Sequence, residues 1–210
     1  LKLLDPPLQH AQPSAGYIQA YPPGVRENGG QYSHAGAWAL MAQARFQTTL
    51  AKSHAGSVPD ADIVYRYYKY LSPAHRARHA THGQAYGIEP YVVAGDVYTQ
   101  APYVGRGGWS WYTGAAAWLH RAAIESIFGL QHGATALQFT PCLPTAWPRA
   151  ELSLTRDGRT MRFVFVRETA STALAMLLNE LPQAQLLRPG QALAWATLPP
   201  NSVFVVPLLD

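Results

Sequence analysis

Hydrophobic positions follow a helical period early in the chain and an alternating one late. In residues 34–52, Ala37, Leu40, Met41 and Ala44 mark one face, with Trp38 and Ala42 beside it. Ser33 stands ahead of this run as an N-cap, and Gly56 and Pro59 close it. Pro59-Asp60-Ala61-Asp62 then opens a second helix over about 59–71, since proline fits the first turn and acids favour its positive end. Ile63, Tyr67 and Tyr70 share a face there, and Ser72-Pro73 ends it. Residues 113–128 carry the strongest helical pattern, a stripe of Trp118, Leu119, Ala122, Ala123 and Ile127 stopped by Gly129. Trp118 is expected in the core.

From about residue 136 the period becomes two. Leu137-Gln138-Phe139-Thr140 alternates, and prolines 141, 144 and 148 follow. Glu151–Thr155 and Thr160–Val166 flank Arg156-Asp157-Gly158-Arg159, where an Asp-Gly pair between alternating runs predicts a hairpin. Further strands are predicted over Ala173–Leu178, Gln185–Leu187, Ala192–Ala196 and Ser202–Val206. The expected order is mainly α then β: residues 1–135 helical, and residues 136–210 a small antiparallel sheet or sandwich. A handful of helices does not bury both of their faces, so exposed apolar surface and self-association are expected.

Between these elements lie three irregular stretches. Residues 1–31 are rich in proline and glycine but carry Tyr17 and Tyr21, which predicts an ordered loop. Residues 73–88 are polar, and a solvated loop is expected. His75 and His79 are spaced one helical turn apart, but no HExxH pattern or cysteine pair completes a metal site, so no metal is expected. Residues 89–98 predict a short apolar helix or turn with Pro90 at its start.

Composition narrows the function. The apolar fraction is 48%, while the charged fraction, 13%, is about half the usual ~25%. Net charge is +4 without a basic run, which argues against nucleic acid as a partner. The single Cys142 excludes a disulfide framework and fits a reducing, cytoplasmic compartment. No apolar run reaches the ~18 residues of a membrane span. The chain starts at Leu1 without an initiating Met, which is the pattern of a piece of a longer protein.

Candidate chemistry collects in two loops that each lead into a helix. Tyr21–His34 packs Arg26, Glu27, Asn28 and His34 around Gly29-Gly30; Gly105–Gly114 repeats glycines, aromatics and a cation. Thr113-Gly114 at a helix start offers free N–H groups to an anion, and His34 at another can donate to a phosphate or a sugar hydroxyl. Trp109, Trp111, Tyr112, Tyr32 and Tyr91 supply flat apolar faces that suit sugar rings. Arg26 and Arg106 add positive charge or simply fix their loops. No GK[ST] follows Gly105, Gly107 and Gly108, so this is not a nucleotide phosphate loop.

Four blocks in order carry a resemblance: Glu27–His34, Ile88–Tyr98, Gly107–Trp118 and Phe139–Pro148. Together they resemble the C-terminal end of the inverting β-glucoside phosphorylases, with wording nearest the phosphorylase-like region of cyclic β-1,2-glucan synthases. The resemblance covers about residues 1–166. It implies the C-terminal portion of an (α/α)6 barrel followed by a small β domain. It implies phosphorolysis of a β-glucan oligosaccharide, with inorganic phosphate as co-substrate and no cofactor. By position, His34, Thr113 and Gly114 match the family's phosphate ligands, and Glu89, Tyr91 and Trp109 are the candidate sugar contacts. The general-acid Asp and a phosphate-binding Arg are implied upstream, so no catalytic residue is expected within this chain, which alone is expected to be inactive. A parent protein anchored in the inner membrane is implied as well. The rival readings are a stand-alone cellobiose- or oligoglucan-type phosphorylase, and a carbohydrate-binding module on the C-terminal strands. The module requires a line of exposed aromatics, and only Trp195 and Phe204 are available after Phe165.

Overall fold

The computed structural model describes residues 1–53, 58–111, 114–167 and 171–208; Gly56, Tyr112 and Thr113 lie outside them. The chain divides into one unit of residues 1–43 and 63–123 and another of residues 44–62 and 124–210. In chain order the first elements are α1 (Tyr17–Ala20), β1 (Gln31–Tyr32), α2 (Ser33–Ser53), α3 (Ala61–Leu71), α4 (Pro73–Arg76), α5 (Ala80–Tyr86), β2 (Asp96–Val97), β3 (Gly107–Gly108) and α6 (Ala115–Arg121). A π-helical turn, Ala122–Ile127, continues α6.

The first unit begins with the ordered loop that its tyrosines predicted. Leu3 and Gly29–Gly30 exchange backbone hydrogen bonds of 2.9 Å. The buried Asn28 braces the rest: its Oδ1 accepts the N–H of Leu8 at 2.6 Å, and its Nδ2 donates to the carbonyl of Tyr21 at 2.7 Å. α2 buries Ala37, Leu40 and Ala44, the face expected from the sequence. Ser33 is its first residue. Gly36 lets Leu71 approach closely, since a Cβ there would lie 2.7 Å from a Leu71 methyl.

Three expectations are corrected here. α3 buries Ala61, Val64 and Leu71, whereas Tyr70 is exposed; the aliphatic side chains take the inward face and the bulkier tyrosines flank it. Residues 73–88 are not a loop but form α4 and α5. Ser72-Pro73 stops α3 and also starts α4, because proline suits a first helical turn. Tyr86, at the end of α5, donates its hydroxyl to the Val92 carbonyl at 2.8 Å and accepts the Ala94 N–H at 3.1 Å. This pins the 89–94 segment as a turn. Trp118 is half-buried rather than in the core; the buried positions of α6 are Ala115 and Leu119.

The second unit holds β4 (Leu130–His132), β5 (Ala136–Phe139), β6 (Arg149–Arg156), β7 (Arg159–Arg167), α7 (Ser171–Glu180), β8 (Gln185–Leu186), β9 (Leu193–Ala194), a 3-10 turn Trp195–Thr197, and β10 (Ser202–Leu208). β4, β5 and β9 pair antiparallel. The predicted hairpin is β6–β7, closed at Arg156–Arg159 by Asp157 and Gly158 with positive φ. Phe139, Phe163, Phe165 and Phe204 fill the core, and the Phe163 and Phe204 rings stack at 5.3 Å.

The larger sheet is mixed, which corrects the expectation of an antiparallel one. Its order is β6-β7-β10-β8, with β10 parallel to both β7 and β8. The cause lies in Ala173–Leu178, predicted as a strand but folded into α7. Leu174, Leu177, Leu178 and Leu181 are spaced as a helix face and cover Val164, Val166 and Val205. That helix is the crossover a parallel pairing needs. Among the described residues no helix is long and apolar enough to cross a membrane.

Candidate functional site

Within the first unit, the small β1-β2-β3 sheet brings distant loops together. Tyr32 pairs with Asp96, and Asp96 with Gly108. This register sets the Tyr21–Gly30 loop, the start of α2 and the segment after β3 around one pocket of about 380 Å3. Tyr21, Arg26, Tyr32, His34, Gly95, Trp109 and Gly114 line it.

Arg26 dominates one wall. Its guanidinium lies 5.3 Å from the centre of the Tyr21 ring, 5.9 Å from Tyr32 and 4.9 Å from Trp109. Such cation–π packing holds the charge against the aromatic wall. The nearest carboxylate oxygen, on Glu27, is 3.6 Å from Nε. Below it, the backbone N–H of Arg26 donates to Asp96 Oδ2 at 2.6 Å. Burial pushes the Asp96 carboxyl above its ordinary range, although that N–H and the Arg26 charge pull the other way.

His34 also lines the pocket. Its ring sits edge-on to Trp38 at 4.7 Å and tilted against Trp118 at 5.7 Å. Arg121 packs over the outer part of this stack, 4.6 Å from the Trp118 ring. Gly114 lies at the start of α6 in ordinary helical conformation, with nothing within 4 Å of the place a Cβ would occupy.

Several polar atoms of the site make no hydrogen bond within the protein. Arg26 Nε, Glu27 Oε2, His34 Nε2 and Asp96 Oδ1 are all buried without a hydrogen-bond partner. Leaving a buried polar atom unsatisfied costs roughly 1–3 kcal/mol, so the fold tolerates several such costs in one place. Three large residues here also hold left-handed backbone: Arg26 at φ 48°, Trp109 at 53° and Trp111 at 61°. For non-glycine residues this conformation costs about 1–2 kcal/mol each and gathers at functional sites.

The structure thus brings His34, Gly114 and Trp109 to one pocket. Thr113 lies outside the described residues. Glu89 and Tyr91 are not among the pocket's lining residues. They meet Trp111 instead, whose Nε1 donates to Glu89 Oε1 at 3.2 Å and whose ring faces Tyr91 at 6.2 Å. Tyr91 and Trp111 are 71% and 70% exposed, an aromatic platform on the surface. Arg106 lies over Tyr103, away from the pocket walls. Asp96 and the part of Tyr21 in the wall escaped sequence reading, whereas Arg26 was expected either to add charge beside the anion or to fix its loop. The Gly-Gly pair after Arg26 was the available signal, because it marks backbone approaching closely.

Elsewhere, His75 is engaged by Tyr65 and Ser72 at 3.2 and 3.0 Å, and no metal-binding cluster occurs among the described residues. Phe204 is buried, so the line of exposed aromatics that a carbohydrate-binding sheet requires is missing among the described strands.

Residues 1–129 match the model of the glycosyl hydrolase 94 superfamily, catalytic domain. The chain is 39% identical over 171 residues to the cyclic beta-(1,2)-glucan synthase NdvB of Rhizobium meliloti (strain 1021), covering 81% of this chain and 6% of that protein. It is 27% identical over 158 residues to the solabiose phosphorylase of Paenibacillus borealis, covering 75% of the chain and 19% of the relative. For the N,N'-diacetylchitobiose phosphorylase of Vibrio proteolyticus the values are 26% over 162 residues, 76% and 18%. The chain therefore spans less than a fifth of the length of each of these relatives.

Proposed function

The chain belongs to the glycosyl hydrolase 94 superfamily, and from that premise we propose that its pocket is the phosphate and sugar site of a β-glucan-processing enzyme. His34, Thr113 and Gly114 take inorganic phosphate. Trp109, Tyr21 and Tyr32 take the apolar face of a glucose ring, while Arg26 and Glu27 meet its hydroxyls. Glu89 and Tyr91, with Trp111, form an outer contact for a longer oligosaccharide. The observation that carries the reading is that Arg26 Nε, Glu27 Oε2 and His34 Nε2 are buried beside one pocket without a hydrogen bond. A ligand with both donors and acceptors satisfies that set, and a sugar beside an anion is such a ligand.

In the reaction a phosphate oxygen attacks the anomeric carbon from the face opposite the leaving sugar. The glycosidic C–O bond breaks, and a carboxylic acid gives its proton to the leaving oxygen. Phosphate is itself the nucleophile, so no second carboxylate has to activate water, unlike inverting hydrolysis. The acid is supplied by a part of the protein outside these 210 residues, and the chain alone is inactive. In this reading residues 1–135 belong to an (α/α)6 barrel and residues 136–210 to an accompanying β domain. Trp38, 53% exposed on α2, is part of the apolar surface that further barrel helices would cover or that drives self-association. The higher identity to the glucan synthase favours a β-1,2-glucan synthase domain, in a cytoplasmic region of a membrane-anchored protein, over a stand-alone phosphorylase.

Phosphate titration by calorimetry tests the site, with His34→Ala and Gly114→Ala beside the parent chain. Gly114→Ala is expected to fold normally, because a methyl there meets nothing, yet to crowd the anion. Millimolar binding lost in both variants supports the reading. Binding unchanged in both rejects it.

A further inference from the structure

Asp96 has no part in the chemistry just described, yet it is 1% exposed and sits directly under the pocket wall. We infer that Asp96 is a positioning residue: by accepting the backbone N–H of Arg26 it locks Arg26 in a left-handed turn and so aims the guanidinium into the site. The inference rests on the pocket being the sugar and anion site of the proposed function.

Several observations converge on this joint. The N–H of Arg26 reaches Asp96 Oδ2 at 2.6 Å, a charge-assisted bond and thus one of the stronger kind. Arg26 adopts φ 48°, which a long side chain does not hold unless its surroundings impose it. The opposite side of the same residue is also tied, since the Arg26 carbonyl accepts the N–H of Gly30 at 3.1 Å. A Cβ on Gly30 would lie 2.5 Å from that carbonyl, so only glycine permits the contact. Gly108 does the same for the acid: a Cβ there would lie 2.5 Å from Asp96 Oδ1. Two glycines, one in the first loop and one in β3, therefore leave room for one carboxylate and the backbone it grips.

The arrangement is expensive for the fold. Asp96 Oδ1 is buried with no hydrogen-bond partner, and a buried carboxylate with an idle oxygen weakens the folded state. A neutral residue would hold the β1-β2-β3 sheet without that cost. What it supplies is direction. With Arg26 fixed, its side chain lies against Tyr21, Tyr32 and Trp109; released from the left-handed region, it swings away from all three.

Nuclear magnetic resonance on the 210-residue chain reads this without any ligand. The δ-methylene and Nε–H signals of Arg26 carry ring-current shifts from the three aromatic rings. In Asp96→Ala these shifts should collapse to the values of an unstructured arginine, while the methyl signals of Leu40 and Val64 stay in place. Asp96→Asn keeps an acceptor oxygen and should restore them. Shifts unchanged in a folded Asp96→Ala, or lost equally in Asp96→Asn, overturn the inference. Should Asp96→Ala not fold, the parent still decides: its Arg26 amide must exchange slowly, and rapid exchange overturns the assignment.

A binding cycle adds the functional readout, using a β-1,2-linked glucose disaccharide in phosphate buffer. Asp96→Ala and Arg26→Ala should each weaken binding about ten-fold, the double variant no further, and Asp96→Asn should stay near the parent. Additive losses mean that Asp96 does not act through Arg26. A parent that binds no disaccharide counts against the proposed site alone, and the resonance measurement then decides the positioning role by itself.

Discussion

The indole of Trp118 lies 5.7 Å from the imidazole of His34, with the two planes tilted by 36°. His34 belongs to the start of α2 and Trp118 to α6, so the pair fixes a side chain at one helix start by a ring from another. Trp38 closes the group edge-on, 5.4 Å from Trp118. An imidazole held this way presents Nε2 in one direction without needing a hydrogen bond to orient it. Aromatic contacts of this kind contribute about 0.5–1.5 kcal/mol beyond area burial. Trp118→Ala should therefore weaken phosphate binding roughly two- to ten-fold, with only a modest change in melting temperature. Calorimetry beside a thermal melt checks both halves.

Asn28 is the brace of the long first loop. Burial of its amide is compensated by the Leu8 N–H and the Tyr21 carbonyl. Asn28→Ala strands both groups and should destabilise the first unit by about 2–4 kcal/mol. Denaturant unfolding followed by tyrosine and tryptophan fluorescence measures the loss. Asn28→Asp should be nearly as harmful, because a carboxylate cannot donate to the Tyr21 carbonyl.

Glu151 governs the acid limit of the β6–β7 hairpin. Arg162 donates to its Oε2 at 2.7 Å and Arg149 to its Oε1 at 2.6 Å. The bond from Arg162, then that from Arg149 and both charges, pull its carboxyl from the ordinary 4.5 down to about 2, against a smaller desolvation effect. The folded state thus holds fewer protons at this site than the unfolded chain. Its stabilisation is complete above about pH 4.5 and fades as the pH falls toward 2. The group is more than a third exposed, so the loss is about 1 kcal/mol or less. Glu151→Gln should flatten the stability profile between these pH values, lowering stability by about 1 kcal/mol or less above pH 4.5 and leaving it unchanged near pH 2, as acid-dependent urea midpoints will report.

The sequence made some of this plain and hid the rest for physical reasons. The α2 face and the β6–β7 hairpin follow from local signals, a helical stripe in one and an Asp-Gly turn in the other. α7 was legible too, since Leu174, Leu177, Leu178 and Leu181 keep helical spacing; the apolar run around them masked it as a strand. His34, Gly114 and Trp109 were found because glycine and aromatic residues cluster visibly before helices. Asp96 was not, because its meaning depends on a bond to a residue 70 positions away. Glu89 and Tyr91 share a motif with pocket residues, yet they face Trp111, a matter of side-chain direction that spacing does not encode.

In the four-stranded sheet, β10 lies between β7 and β8 and is made after both. Until that segment exists β8 has no strand beside it, and β7 has a partner on one edge alone. β6 and β7 can meet at once as a hairpin, but the outer edge of β7 stays open until β10 pairs along Met161–Arg167. Assembly of this sheet accordingly waits for β10, and the waiting edge is the place where a partly synthesised copy would capture a stray strand from another.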